Sequence, residues 1–392
     1  MKLYDVVIIG AGLAGLQCAK LLSRGGAKIL LVDRKTDLTR NIHTTGIFVR
    51  KTLEDFDFPP STLGKAVRRV ALHSPNLKTI NLTSEKDEFR VGKMGLLYES
   101  FLHDCLSGGV EFSSATRYVS AETKEAETVV KLEKNGEAFE VRTKVLIGAD
   151  GAISRVAKDL QLEENKEWIV GYEEVWRNVP LEGEPQLHCF LDARLAPGYL
   201  AWITNDGEET HVGVGGYAEK FNPREALKIF RQNIAPKFVD LNTAEMAETR
   251  GGRIPVGGVL RRIANENGLL IGDAAGAVSP LTAGGLDPCL RLSALAADVV
   301  LERLRIDDPK VLLNYSGELF RARFISRLWM RRIIAAVSSQ RLLELGFILL
   351  CGKIGRKFVN HVFFGRGSFP DVKLKTDSRR NSIDKSLVKN AN

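Results

Sequence analysis

The sequence predicts an α/β protein with an α+β second lobe, in which a parallel-sheet domain is split by a mainly antiparallel sheet and followed by helices. Three observations predict it. Asp5 to Ile9 and Ala27 to Val32 are apolar runs flanking a helical segment from Leu13 to Ser23, the pattern of buried parallel strands joined by a crossover helix. Short alternating strands fill 66–91 and about 168–214. Helical periodicity then dominates from Leu290 to Leu304 and from Leu312 to Phe364.

In chain order, Gly25-Gly26 ends the first helix before the second strand, completing one βαβ unit. Val67-Val70-Leu72 and Ile80-Leu82 read as a hairpin around Ser74-Pro75-Asn76. A helix is expected from Leu96 to Leu106. Strands follow at Val110–Phe112, Thr128–Leu132 and Phe139–Val141, with Asn135-Gly136 as a hairpin turn. Val145 to Ile147 reads as a separate buried strand, and Arg262 to Ile271 leads into another. The parallel domain is therefore expected to be discontinuous, over 1–65, 93–165 and 250–310. The antiparallel domain takes 66–92 and 166–249, a helical region 311–370, and a disordered basic tail 371–392.

A chain of 392 residues with 44% apolar and 27% charged residues is globular in composition. Its net charge of +8 is uneven: from Phe320 onward sixteen Lys or Arg face four Asp or Glu. Five scattered cysteines with no CxxC spacing argue against a disulfide framework or a zinc site, so no metal is expected. The start leads straight into a strand, and no stretch reaches the ~18 apolar residues of a spanning helix, so a cytoplasmic location is expected.

Chemistry enters at the turn Gly10-Ala11-Gly12-Leu13-Ala14-Gly15. Gly10 permits the tight turn, Gly12 lets backbone approach a pyrophosphate, Gly15 lets helix pack on sheet, and the amides of Leu13 and Ala14 open the helix toward phosphates. Asp33, beside Arg34, ends the second strand twenty-three positions after Gly10, where an acid accepts from a ribose hydroxyl. Two further motifs, Gly148-Ala149-Asp150-Gly151-Ala152-Ile153-Ser154-Arg155 and Gly272-Asp273-Ala274-Ala275-Gly276, set carboxylates at strand ends. Asp273 suits ribityl hydroxyls or the pyrophosphate region. Gly284-Gly285-Leu286, bare amides before a helix, suit a flavin carbonyl. Together these select FAD as the cofactor.

Residues 1 to about 310 resemble the FAD-dependent monooxygenase superfold typified by aromatic hydroxylases, and within it the geranylgeranyl reductase group. GAGLAG and GADGAISRV mark the superfold, whereas GDAAGAVSPLTAGGL, with Gly276 and Pro280-Leu281-Thr282, is similar to the reductases. So is Ala196-Pro197-Gly198-Tyr199-Leu200-Ala201-Trp202-Ile203, which resembles their substrate-sheet signature. Departures occur: Leu200 takes a Tyr place, the flavin motif reads Thr282-Ala283-Gly284-Gly285, and Lys93 stands nearest to a common Arg. The resemblance implies a discontinuous Rossmann-like FAD-binding domain, an inserted substrate-binding sheet and C-terminal helices.

The preferred function is an FAD-dependent oxidoreductase that reduces a carbon–carbon double bond in an apolar, isoprenoid-type substrate by hydride transfer from flavin N5. One alternative is a monooxygenase hydroxylating an aromatic or polyketide substrate, and another a non-catalytic flavoprotein or partner-docking module. No second GxGxxG is present, so electrons are expected from NAD(P)H through the substrate cleft or from a carrier protein. His43 is a weak candidate proton donor, the catalytic residues being otherwise unknown. Tyr199 and Trp202 are candidates for lining the substrate site, but a spacing of three on an ideal strand lets only one face it. Arg321, Arg323, Arg327, Arg331 and Arg332, interleaved with apolar residues, suit either a membrane interface or packing over the cleft. Nucleic acid is not expected as a partner.

Overall fold

A computed structural model describes residues 1–365 except 125, 126, 181, 182, 322, 323 and 338. The expected tail 371–392 and Arg323 lie outside the described residues.

The first strand, Lys2–Ile9, is buried along its second half and pairs in parallel with Ile29–Val32 and with Glu137–Gly148. Glu111–Ser113 extends this sheet on one side and Gly268–Leu270 on the other, both in parallel. Such strands need apolar residues on both faces. The helices Leu13–Arg24, Met94–Ser107 and Leu286–Ile306 supply that cover, and all three contribute buried residues to the largest core.

The expected separate strands 139–141 and 145–147 are one strand, Glu137–Gly148. Its first part pairs antiparallel with Glu127–Lys134, and its second in parallel with Lys2–Ile9. The two partners overlap at 141–143, so the polar stretch Arg142-Thr143-Lys144 stays extended instead of turning. Asn135 and Gly136, with φ of 53° and 83°, form the expected hairpin turn.

A seven-stranded sheet runs in the order Glu245–Pro255, Trp168–Arg177, Glu209–Gly216, Ala201–Asn205, Gln186–Phe190, Arg69–His73 and Thr79–Thr83. Only Gln186–Phe190 and Arg69–His73 pair in parallel. One face packs on the helix Pro223–Asn233, capped by the Asn222 side chain, through Trp176, Val212, Val214, Leu227 and Phe230. The opposite face carries Glu173, His211 and Trp202. Ile47–Val49, Phe89–Gly92 and Leu63–Val67 form a small third sheet.

The region expected to be helical from Leu312 is broken into Glu318–Arg321, Ile325–Ala336, Gln340–Leu350 and Lys353–Phe364. Extended backbone at Val337, Ser339 and Gly352 divides the last three.

The sheet and its first helix meet at Gly15, where an added Cβ would lie 1.9 Å from the Gly10 carbonyl oxygen. Overpacking of this kind costs about 1–3 kcal/mol. Gly15→Ala is expected to lower the urea midpoint of the FAD-free protein by that free energy with no change in m-value, whereas Gly12→Ala, whose Cβ meets nothing within 4 Å, leaves that midpoint in place.

Candidate cofactor and substrate site

The carboxyl ends of the parallel strands converge at one edge. Ile9 leads to Gly10, Val32 to Asp33, Gly148 to Ala149 and Asp150, and Leu270 by way of Ile271 to Gly272 and Asp273. Ligands of open α/β sheets bind outside such an edge. A cavity of about 1530 Å³ opens there and continues beneath the second sheet to the C-terminal helices. Drug-sized ligands occupy roughly 300–1,000 Å³, so a dinucleotide and a second molecule both fit.

The turn has the shape a pyrophosphate needs. Gly10 adopts φ 105°, and a Cβ there would sit 2.3 Å from the Ala149 carbonyl oxygen. Gly12, at the N-cap of Leu13–Arg24, faces the cavity with open space where its Cβ would be, and no side chain caps this helix. Its first amides and partial positive charge are thereby left for an anion.

Of the other expected cofactor residues, Leu13, Ala14, Asp33, Arg34, Asp150, Asp273, Gly284, Gly285 and Leu286 all line the cavity. The carboxylates differ in how they are used. Asp33 accepts from the amides of Ala11, at 2.7 Å, and Lys35, at 2.8 Å, which fixes the glycine turn against the second strand and leaves lone pairs over. Asp150 accepts from Ser154 Oγ at 2.6 Å and from the amides of Arg155 and Val156. Its carboxylate therefore shapes the loop that starts the short helix Arg155–Asp159. Asp273 sits in a 3-10 turn that Asn165 pins through the backbone carbonyls of Ala152 and Asp273. Loss of water contact pushes the Asp273 carboxyl up to about 6.

Gly285 is the N-cap of the 21-residue helix Leu286–Ile306, so the expected run of bare amides exists at the cavity wall. Ala283 holds φ 51° in the turn before it, a left-handed conformation that costs a residue with a Cβ about 1–2 kcal/mol.

Lys93 is displaced from the role expected of it. It immediately precedes Met94–Ser107, but its ammonium pairs with Glu208 at 2.7 Å and lies outside the cavity lining. The hairpin tip after Ala201–Asn205 packs on strand Leu63–Val67, where Lys65 N donates to Asp206 O, and this brings Glu208 within reach.

Tyr199 and Trp202 both line the cavity, against the expectation that only one faces it. The strand begins at Ala201, so Tyr199 lies in the preceding turn and escapes the alternation, with its hydroxyl donating to the Thr282 carbonyl at 2.8 Å. Glycines opposite make room: a Cβ on Gly213 would lie 2.3 Å from the Trp202 ring. His43 also lines the cavity, and Nδ1 meets the Gly251 carbonyl at 2.8 Å.

Two residues of the cavity wall, Glu173 and Arg250, were not singled out from the sequence. Glu173, 3% exposed, lies in the cavity wall and accepts from Thr45 Oγ1 at 2.6 Å and Trp202 Nε1 at 3.1 Å. Its position on the inner face of a strand with period two was a signal that could have found it. Arg250 lies 3.8 Å from the same carboxyl group and donates to the Thr44 carbonyl. Arg321, Arg327 and Arg331 turn inward. Arg321 donates to the Val259 carbonyl, Arg327 to Ser279 Oγ, and Arg331, 1% exposed, to Tyr217 Oη. Packing over the cleft is thus realised for the helix Ile325–Ala336, whose Arg327, Met330, Arg331, Ile333 and Ile334 line the cavity, while Trp329 is exposed away from it.

Fold and site together define an FAD-dependent oxidoreductase. The model of the FAD binding domain family matches residues 99–318, and that of the Pyridine nucleotide-disulphide oxidoreductase family residues 4–175. The chain belongs to the FAD binding domain family. It is similar to the digeranylgeranylglycerophospholipid reductase of Methanocaldococcus jannaschii, 26% identical over 374 residues, covering 92% of this chain and 94% of that protein. A digeranylgeranylglycerophospholipid reductase of Methanopyrus kandleri is 29% identical over 324 residues, 78% of either chain. A geranylgeranyl bacteriochlorophyll reductase-like protein from Thermoplasma acidophilum shares the fold at TM-score 0.78 and 21% identity, over 88% of this chain and 90% of that one. The flavin-dependent brominase Bmp2 shares it at TM-score 0.69 and 16% identity, over 99% of this chain and 100% of that one.

Asp273 gives the FAD-free protein a distinct pH response. Its folded carboxyl titrates near 6, above the ordinary value of 3.8, so the folded state binds more protons between those values and stability falls as pH rises through that window. Asp273→Asn is expected to stabilise FAD-free protein above pH 6 and to leave it unchanged below about pH 4, while weakening FAD retention. Thermal melts at several pH values and flavin release on dilution check both.

Proposed function

We propose that the protein reduces carbon–carbon double bonds in the isoprenoid chain of an anionic amphiphile. The observation that carries this is the two-part lining of the cavity. Beyond the cofactor edge it is walled by Leu72, Leu187, Leu191, Leu200, Phe347, Leu350, Val359 and Phe363, a surface suited to a long apolar chain. Arg327 and Arg331, one turn apart on Ile325–Ala336, line it too. The Arg331 guanidinium stacks on Tyr199 and Tyr217 at 5.4 and 5.0 Å, and its Nη2 has no hydrogen-bond partner among the described residues. A buried cation so placed is strongly stabilised by an anion, and guanidinium matches phosphate in geometry. The phospholipid named for the archaeal relatives has both parts.

When bound, FAD supplies the hydride that one alkene carbon accepts, and the second carbon takes a proton. The chain's part is to hold the alkene against the cofactor, exclude water with the apolar wall, and deliver that proton. His43 stands at the cavity with Nδ1 engaged by a carbonyl, leaving Nε2 toward other partners. Electrons come from NAD(P)H through the cavity or from a carrier protein. FAD contacts from Gly10, Gly12, Leu13, Ala14, Asp33, Asp273, Gly284, Gly285 and Leu286 belong to this reading, with Gly15 setting the helix. Lys93 and Asp150 serve it through the loops they hold.

Anaerobic, photoreduced protein is expected to be reoxidised by geranylgeranyl lipids with saturation of their double bonds. Arg331→Gln is expected to raise KM for phosphorylated lipids on the order of 10-fold, the loss of one charge-assisted contact, while leaving KM for the free alcohol in place. Reoxidation only by oxygen, with an oxygenated product, would sink the reading in favour of a monooxygenase.

On this reading the protein works as a cytoplasmic, peripheral enzyme at a membrane surface. No described helix is long and apolar enough to cross a membrane. The C-terminal helices instead expose Trp329, Ile333, Leu345, Leu349 and Ile354 beside Arg332, Arg341, Lys353 and Lys357, an interfacial composition. Leu349 and Ile354 are 78% and 86% exposed, and cavity-lining Phe347 and Leu350 lie on the same helix as Leu349. Flotation with anionic liposomes is expected for the full chain and lost in a Leu349→Ser, Ile354→Ser double variant. Equal flotation of that variant would place the lipid contact elsewhere.

A further inference from the structure

We propose that Glu173 and His211 form a buried proton store that feeds the cavity through the Thr45 hydroxyl, an inference that rests on the reductase reading above. His211, 1% exposed, stands behind Glu173 with Nδ1 3.5 Å from Oε1. Neither ring nitrogen of His211 has a hydrogen-bond partner among the described residues, nor has Glu173 Oε1. Buried polar atoms are almost always paired, so Nδ1 and Oε1 facing each other without a hydrogen bond mark a place where a proton is held or exchanged.

The strands impose this geometry. Glu173 lies opposite Gly213, and His211 opposite Val175, in the pairing of Trp168–Arg177 with Glu209–Gly216, so the two side chains are diagonal neighbours on one face. Arg250 lies opposite Glu173 on the other flank. Trp202 comes from the next strand and Thr45 from the loop below. The remaining charges that face the group are paired or peripheral: Glu248 is bound by Arg250, and Glu209 by Arg177. Asp206, which with Glu209 offers a carboxylate oxygen within 4.8 Å of a His211 nitrogen, accepts from the amides of Glu208 and Glu209. Around His211 the carboxylates Glu173, Asp206, Glu209 and Glu248 outnumber the guanidiniums Arg250 and Arg177. Burial pushes the Glu173 carboxyl up, but contact with His211, the Thr45 hydrogen bond and the Arg250 charge outweigh it and hold the group ionised.

Of these groups Thr45, Glu173, Trp202 and Arg250 line the cavity, while His211 does not. At rest Thr45 donates to Glu173 Oε2. On turnover the His211 Nδ1 proton moves to Glu173 Oε1, rotation of the neutral carboxyl turns its O–H toward Thr45 Oγ1, and the Thr45 proton goes to the alkene carbon that has not received hydride. Hydride and proton add across the double bond, no heavy-atom bond breaks, and the same relay run in reverse, from the cavity through Thr45 and Glu173, returns a proton to His211. Glu173 and His211 act through Thr45 and are positioning residues in this scheme.

The test uses the full chain, wild type and the variants Glu173→Gln, Thr45→Val and Thr45→Ser, with H211N to assign the His211 signal. Histidine-labelled protein, with and without FAD, is titrated by NMR. The His211 midpoint is expected to be lower in E173Q than in wild type, because the variant removes a carboxylate oxygen 3.5 Å from Nδ1. Single-turnover reoxidation of reduced protein by a geranylgeranyl lipid is expected to slow on the order of 10²-fold in T45V, and to recover in T45S with its solvent deuterium isotope effect. A His211 midpoint indifferent to E173Q overturns the store, whatever the substrate. Wild-type reoxidation rates in T45V overturn the delivery route. Failure of every isoprenoid to reoxidise wild-type protein defeats the reductase reading instead, and the titration still decides the store.

Discussion

At the meeting of Gly10, Gly15 and Ala149, three backbone segments lie closer than side chains permit, and the remainder of the site is arranged around that contact. The Ala149 carbonyl oxygen occupies the space a Cβ on Gly10 would take, and the Gly10 carbonyl oxygen the space a Cβ on Gly15 would take. Helix Leu13–Arg24 is thereby seated directly on the ends of the first and the Glu137–Gly148 strands. Asp33 locks the arrangement from the neighbouring strand by accepting the Ala11 amide. Phosphate binding by helix amides requires those amides to be held at a fixed place with no side chain in front of them. The open space beside Gly12 satisfies that requirement only because its neighbours are so tightly packed.

The second sheet turns this nucleotide edge into a site with two ligands' worth of room. Its inner face would be a flat wall if every strand carried large side chains there. Gly213 and Gly215 instead leave space for Trp202 and Tyr199, which lean across the strand and present their rings to the cavity. Trp202 then needs an acceptor for its buried indole N–H, and Glu173 supplies it. A carboxylate that is 3% exposed is tolerated only with donors and counter-charges, which Thr45, Trp202 and Arg250 provide. The small residues that admit the aromatics and the charged cluster that holds them are parts of one packing solution.

Elements and cofactor class were legible because each followed from local rules. A glycine turn between an apolar strand and a helix, with an acid at the end of the next strand, leaves few alternatives, and FAD follows once two more strand-end motifs are added. Apart from the merged strand Glu137–Gly148 and the breaks in the last helices, what was missed is tertiary. Tyr199 was assigned to a strand that starts two residues later. Lys93 was placed by its nearness to a helix start, but the distant hairpin residue Glu208 decides where its ammonium goes. Asp150 lines the cavity as expected of it, and its bonds to Ser154, Arg155 and Val156, which fix its own loop, were not legible. Glu173 and Arg250 were missed because a single charged residue in a strand looks solvated until the sheet opposite it is known.

The arginines of the last helices show why charge count alone misleads. Read as a sequence, Arg321, Arg327 and Arg331 suit a basic interface or packing over the cleft, and in the fold their heads point to backbone carbonyls, Ser279 and Tyr217, while Trp329 is exposed. Met330, Ile333 and Ile334 line the cavity beside them, so the inner face of this helix mixes cations with apolar groups. Both features have a cost: exposed Trp329 forgoes burial, and Arg331 gives up its hydration. On the proposed function an anionic lipid would relieve both at once, its headgroup pairing with the guanidinium inside and its neighbours in a bilayer covering the exposed ring. A compact aromatic substrate in bulk water relieves neither, and for this reason the helices, more than the flavin motifs, favour a lipid over a ring as the molecule the cavity receives.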